Sequence, residues 1–283
     1  MLDEKEFSID NSRLADYQAC NQLFDYHYNH HLGNESGHEA RFGTFMIHKP
    51  IQEWWRSGGT YKPNWQEQMA LWAPSAEDML KDKYNCYTSS TAKLLFDQYV
   101  EQRKDDFEQY SVHEIEVYRT RKVLEGFKPW GSKTDIVLRY NDHHAEGYPI
   151  VHTLEIKSSK WDYILTGMNF NRQVLGQIYT CEAEKGLVDF FHLNGKKSQY
   201  MRFEIEPSES DMKQWVEDRK LEMRQMQLSY ETGIWPRNAG SCRRFNRVCE
   251  FLELCDLGGV GEPLVQQRIS EMEKKDSLAY LEE

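Results

Sequence analysis

The apolar positions change period twice along the chain. From residue 8 to about 110 they recur three and four apart, as in Leu14, Tyr17 and Phe24, the run from Phe42 to Trp55, and Leu94, Leu95, Phe96 and Tyr99. That spacing lines one face of a helix. Ser8-Ile9-Asp10-Asn11-Ser12 offers caps for a first helix, and Ser89-Ser90-Thr91 opens another over 89–110, after one over 64–83. From 111 to 206 the period shortens to two. Val112–Tyr118, Thr134–Leu138, Thr153–Lys157, Leu187–Leu193 and Gln199–Ile205 alternate as strands do. One helical stretch, Met168–Glu184, interrupts them, and Asn194-Gly195 marks a turn between the last two. Gly33–Gly43 and Asp142–Gly147 read as loops. From 207 to 283 a long helix, Ser208–Tyr230, leads into a cysteine-bearing segment. The expected class is α/β: a mixed sheet over 111–206 flanked by helices, an N-terminal helical region over 8–110 and a C-terminal segment. No linker divides the chain, so 1–283 reads as a single domain.

Composition narrows this. Thirty-five Lys and Arg against 46 Asp and Glu give 35 − 46 = −11, which argues against a generic basic nucleic-acid binder. It leaves room for an enzyme with a carboxylate site and a local basic track. No apolar run approaches the ~18 residues of a membrane span. Met1-Leu2-Asp3-Glu4-Lys5-Glu6 lacks the basic-then-apolar layout of a signal peptide. The expectation is an intracellular, cytoplasmic protein, whose six cysteines are thiols or metal ligands rather than disulfides.

The chemistry concentrates between Gly131 and Tyr179. Glu155 and Lys157 share a strand face, because residues two apart in a strand point the same way. A carboxylate beside an ammonium is consistent with a cross-strand salt bridge. That is the common case; the other reading is a divalent metal held by Asp135 and Glu155, with Lys157 orienting water. Glu116 is a candidate outer carboxylate. On the Met168–Glu184 helix, Arg172, Gln173 and Gln177 form a polar side, and Arg172 has the fork that clamps phosphate. Cys242, Cys249 and Cys255 lie close in sequence, and soft sulfur ligands select zinc or iron–sulfur clusters.

Asp135 followed by Glu155-Ile156-Lys157 resembles the PD-(D/E)xK nuclease superfamily. The order of the other elements is similar to its RecB-type branch, over residues 12–255. Gly43 and His48 match a Gly-x(4)-His helix, though a core or surface histidine fits too. Gly131 stands one place further from Asp135 than the branch's Gly-x-x-Asp. Gln173 matches the Gln of a Gln-x-x-x-Tyr element, but Gln177 stands where the Tyr is expected and Tyr179 follows two later. AddB and the CRISPR adaptation nucleases carry a four-cysteine iron–sulfur cluster, with one cysteine on the first helix and three after the core. Cys20, Cys242, Cys249 and Cys255 occupy those places, with a longer first gap than the usual Cys-x-x-Cys-x(5)-Cys. Cys20 alone also reads as a small core residue.

The resemblance implies a restriction-endonuclease-like core. Asp135, Glu155, Lys157 and Gln173 would be catalytic. Mg²⁺ or Mn²⁺ would lie on His48, Asp135, Glu155 and the Ile156 carbonyl. Lys160, Arg172, Gln177 and Tyr179 would bind substrate. A [4Fe–4S] cluster, or Zn²⁺, would sit on the four cysteines. The expected partner is single-stranded DNA, cut from its ends, with no membrane. Two other readings stay open: a nucleic-acid-binding or assembly protein with a degenerate core and a zinc site, and a restriction-type enzyme acting on duplex.

Overall fold

The period-two stretches form a mixed sheet: β1 Tyr110–Arg121, β2 Trp130–Tyr140, β3 Val151–Ser159, β4 Lys185–His192 and β5 Gln199–Ile205. The structure is a computed structural model describing residues 8–30, 41–72, 86–141, 151–160, 171–244 and 247–257. The loop Asp142–Gly147, most of Gly33–Gly43 and the predicted helix beyond Trp72 lie outside these. The strands follow one another in sequence order across the sheet. All neighbours are antiparallel except β3 and β4, which run parallel. A parallel pair needs a crossover, and the helix Arg172–Cys181 lies in it.

The chain divides into two compact units. One comprises Met1–Ser8, Ser36–Val123 and Pro129–Glu217; the other Ile9–Glu35, Leu124–Lys128 and Asp218–Glu283. Their ranges interleave, so no linker in the sequence marks the division. The first unit holds the five strands. One sheet face presents Ile136, Leu138, Leu154, Ile156, Leu187 and Phe191 to a layer of helical aromatics, among them Trp54, Trp55, Phe96 and Tyr99. Asp189, fully buried on β4, takes two bonds from the Arg202 guanidinium (2.6 and 2.8 Å) and one from the Tyr200 hydroxyl (2.7 Å). A buried carboxylate without such partners would be strongly destabilising.

The other face receives the helix Arg172–Cys181, whose start is fixed by Asn171. Its side-chain oxygen accepts from the Gln173 and Val174 amides (3.1 and 3.3 Å). That is an ordinary N-cap. Thr88 rather than Ser89 caps the helix Ser89–Arg103, one residue ahead of the sequence expectation. Two glycines let the Arg172–Cys181 helix lie close to the sheet. A Cβ on Gly176 would stand 2.7 Å from Trp130 Nε1, and one on Gly186 of β4 would overlap Val174.

In the second unit Asp10 caps the helix Asn11–Ala19, accepting from the Arg13 amide at 2.8 Å. Cys20, in extended conformation, separates that helix from Asn21–Phe24. Among the described residues no helix is long and apolar enough to cross a membrane.

Alanine at Gly176 would gain up to about 1 kcal/mol of helix propensity. Trp130 cannot make room, since its ring is buried, bonded to Ser132 and packed edge-on against Trp215. Gly176→Ala is therefore expected to lower unfolding free energy by about 1–2 kcal/mol. A urea midpoint at or above that of the parent protein would show that the contact is slack.

Candidate active site

Strands β2 and β3 part company in mid-course. Their ladder runs from Arg139↔Val151 to Ile136↔Leu154 and goes no further, while β2 stays paired with β1 as far as Trp130 and β3 with β4 as far as Ser159. Side chains take over where the ladder ends. The Ile156 amide donates to Asp135 Oδ2 at 2.7 Å, in place of a backbone carbonyl. Gln177 Nε2 spans the opening, donating to the Lys133 carbonyl on β2 (2.8 Å) and to Glu155 Oε2 on β3 (2.5 Å).

Glu155 is 3% exposed. Its other oxygen accepts from Gln173 Nε2 at 2.7 Å and meets Lys157 Nζ at 2.6 Å. Lys157 Nζ also donates to Gln173 Oε1 at 2.7 Å. Three side chains thus hold one buried carboxylate, and two of them are glutamines one helical turn apart, which share a helix face. Lys157 keeps about a third of its side chain in water.

Asp135 has no such support. Burial and the Glu155 charge push its pKa up to about 8, against the Ile156 amide and the Lys157 and Lys133 charges, which pull it down. Two neighbouring buried carboxylates resist ionising together. His48 stands beside it, its Nδ1 3.9 Å from Asp135 Oδ2. Burial pushes the imidazole down to about 4, so it is neutral at physiological pH. It ends a π turn, Gly43–His48, a winding with one residue more per turn than the expected α-helix and one often found at functional sites. Gly43 opens this turn close to the end of β3: a Cβ there would lie 2.7 Å from Ser158 Oγ, which would have to turn away.

The structure therefore brings Asp135, Glu155, Lys157, Gln173 and His48 to one place, with the Ile156 backbone among them. The donor set suits a hard divalent cation: two carboxylates and a neutral imidazole. A separation of 3.9 Å is one that two donors each about 2.1 Å from a common ion can have. Among the described residues no three His, Cys, Asp or Glu side chains are arranged to close on an ion.

Other expected site residues have different partners. Gln177, expected on the substrate, is fully buried and braces Glu155 instead. Tyr179, by contrast, bonds and packs elsewhere. Its hydroxyl donates to the Lys122 carbonyl at 2.6 Å, and its ring packs against Trp215 and under the Arg121 guanidinium. Arg172 is exposed at the first turn of its helix, and Lys160 lies over the Tyr87 ring. The bracing by Gln177 escapes a sequence reading that treats helical glutamines as a solvated side. The i, i+4 spacing of Gln173 and Gln177 is the signal that could have found it.

All four cysteines expected at a cluster belong to the second unit. Each is a free thiol and half-buried. The Cys249 amide donates to the Cys242 carbonyl at 2.8 Å, closing a small hairpin of β6 Arg243–Arg244 and β7 Arg247–Val248. Asn238 donates from its amide to Cys20 Sγ (3.3 Å) and from its side chain to the Ala19 carbonyl (2.9 Å). Burial pushes the Cys255 thiol up to about 11, less so beside Arg237, and the charges of Cys20, Cys249 and Cys242 push the same way. Burial raises Cys249 too, with Cys242 and Cys20 adding to it. The charges of Cys20, Cys242 and Cys249 thus reach Cys255, although among the described residues no three of these thiols are arranged to close on an ion. Cys86 and Cys181 are buried elsewhere, in the first unit.

No protein-family model matches the chain, and no curated protein does. Solved structures similar to it include that of SSO0001, with 16% identity, 75% of each chain covered and a TM-score of 0.32. Another is the protein described as "Putative exonuclease" from Eubacterium rectale, with 12% identity, 91% of this chain and 96% of that one covered, and a TM-score of 0.49.

The two perturbed groups make opposite contributions to stability. Asp135, raised above its unfolded value of ~3.9, favours the fold at low pH and loses that contribution as pH climbs towards 8. His48, and His152 which burial also lowers to about 4, favour it increasingly as pH rises from ~4 to ~6.5. Above ~6.5 the Asp135 loss remains, alongside that of His27, which Asp16 and Glu250 raise despite its burial. Metal-free protein is expected to lose on the order of 1 kcal/mol between pH ~6.5 and ~8, and Asp135→Asn to flatten much of that slope. Equal slopes for the two proteins in chemical denaturation would refute the assignment to Asp135.

Proposed function

We propose that this chain is a Mg²⁺- or Mn²⁺-dependent nuclease that hydrolyses phosphodiester bonds of DNA, working from single-stranded ends. One observation carries the reading. At the parting of β2 and β3, a deeply buried Glu155 is held by Lys157 and two glutamines, next to a second buried carboxylate, Asp135. A purely structural salt bridge would not call for a second, repelling carboxylate beside it, nor for a neutral imidazole near that one.

Each side chain then has a task. Gln173 bonds to both Glu155 and Lys157, so it fixes the ammonium relative to the carboxylate. Lys157, partly open to solvent, orients the attacking water and offsets charge developing on the phosphoryl oxygens. His48, Asp135, Glu155 and the Ile156 carbonyl are the residues that would hold the ion. Bound there, Mg²⁺ or Mn²⁺ supplies Lewis-acid stabilisation of the phosphoryl oxygens and makes water a better nucleophile. Lys160 and Arg172 hold the strand through its phosphates. Cys20, Cys242, Cys249 and Cys255 carry a structural [4Fe–4S] cluster or a zinc ion. The chemistry of the donors fits, since four thiols in reach of soft cations bind them as thiolates, releasing protons.

Lys157→Ala is expected to reduce Mg²⁺-dependent cleavage of an end-labelled single-stranded oligonucleotide by at least about 100-fold, with cooperative melting retained. Undiminished cleavage would end the mechanism. Cutting of a circular strand as fast as a linear one would replace the end-dependent mode with an internal one. Oligonucleotide binding without cleavage by the unaltered protein would favour a binding or assembly role.

Protein purified without oxygen is expected to be brown and to contain iron and sulfide, or else to be colourless with one zinc per chain. Cys249→Ser should lower the metal content and the melting temperature together. Unaltered protein free of both metals would remove the cluster from the proposal.

A further inference from the structure

The ion pair between Lys133 and Glu116 lies beside the site and has no part in the reading above. β1 and β2 pair Ile115 with Ile136 and Val117 with Thr134, so Glu116 falls between them, across from Asp135. It has φ 55°, a left-handed conformation that a non-glycine residue rarely holds in a strand. Such outliers persist where the surroundings impose them, and they gather at functional sites. Glu116 accepts from Lys133 Nζ at 2.9 Å, and that bond holds its carboxyl below the usual carboxylate range.

Lys133 is anchored on one side and loose on the other. Its carbonyl is bonded to Gln177, the same buried amide that braces Glu155, so its backbone is tied to the proposed catalytic carboxylate. Its side chain, by contrast, is 56% exposed and that of its partner 51%. Pairs this open to water are weakly held. Yet Lys133 stands two residues from Asp135 on β2, and residues so spaced point to the same side of a strand, roughly 7 Å apart. A solvent-accessible cation at that range of a phosphodiester-cleaving centre is placed to meet the substrate.

We propose that Lys133 is a phosphate-binding residue, exchanging Glu116 for a backbone phosphate that flanks the scissile one, and that Glu116 is the internal competitor which weakens this grip. The proposal rests on the nuclease reading for its ligand, a single nucleic-acid strand. Its signature is opposite effects from the two partners of one ion pair. A merely structural bridge would lose stability from either side and leave binding alone.

The test measures binding of a fluorescent single-stranded oligonucleotide by anisotropy across a salt series in Mg²⁺. Lys157→Ala provides the background, so that the strand stays intact, and melting is followed in parallel. Adding Lys133→Ala is expected to weaken binding about tenfold and to reduce the salt dependence of log K by about 0.7, the loss of one contact to a single strand. Adding Glu116→Gln, which keeps the side-chain length, is expected to tighten binding about threefold. Melting shifts without affinity changes, or weakening by both variants, would overturn the proposal while leaving cleavage by the unaltered protein as separate support for the nuclease reading. Absence of any strand binding would overturn both. Opposed effects on binding, in a chain found not to cleave, would keep the phosphate site and remove the enzyme.

Discussion

The constraint on which the sheet unit turns is a carboxylate taken out of water. Glu155 is almost wholly buried, and a buried charge survives only with partners. Its partners come from two elements, Lys157 on its own strand and Gln173 and Gln177 on the helix Arg172–Cys181. That helix must lie at one height and one rotation over the sheet for both amides to reach. Gly176 under Trp130 and Gly186 under Val174 permit the height, and Asn171 fixes where the helix begins. The parallel pairing of β3 and β4 follows from putting such a helix in their crossover.

The gap between β2 and β3 gives the carboxylate its place. If their ladder continued past Ile136 and Leu154, backbone bonds would fill the space that Asp135 and Gln177 now occupy. The Ile156 amide donates to a side chain, and the Lys133 carbonyl accepts from one, so both strand ends stay satisfied while diverging. Buried backbone groups rarely go unpaired, and here the pairing itself delivers functional groups to the opening. The electrostatics are uneven by consequence. Glu155 has a cation and two amides, whereas Asp135 has one amide and a carboxylate neighbour, which raises the pKa of Asp135.

The cysteine unit follows a similar principle with different atoms. Asn238 and Ser241 bond the Ala19 carbonyl, which the break at Cys20 leaves without its helical partner, and so fasten the two cysteine-bearing stretches together. Aromatic packing supplements this, with Trp235 stacked on Phe24 and Phe251 against Tyr26 and His27. Separation of more than two hundred residues in sequence is bridged by short polar contacts at a helix end, where unpaired backbone groups are always available.

Periodicity made much of the fold legible. The alternation of Val112–Tyr118, Thr134–Leu138, Thr153–Lys157, Leu187–Leu193 and Gln199–Ile205 already contained the strands, because a half-buried strand must repeat every two residues. The pairing of Glu155 with Lys157 on one face came from the same rule. What no period could reveal was where one ladder stops. That depends on which strand each edge prefers, and on a helix distant in sequence supplying amides to the edge left open. Hence Gln177 turned out to brace Glu155, Tyr179 to pack against Trp215, and Gly43–His48 to wind as a π turn against Ser158. Local sequence decided which faces are apolar. Only the tertiary structure, by leaving two strands unpaired beyond Leu154, decided which polar groups meet there.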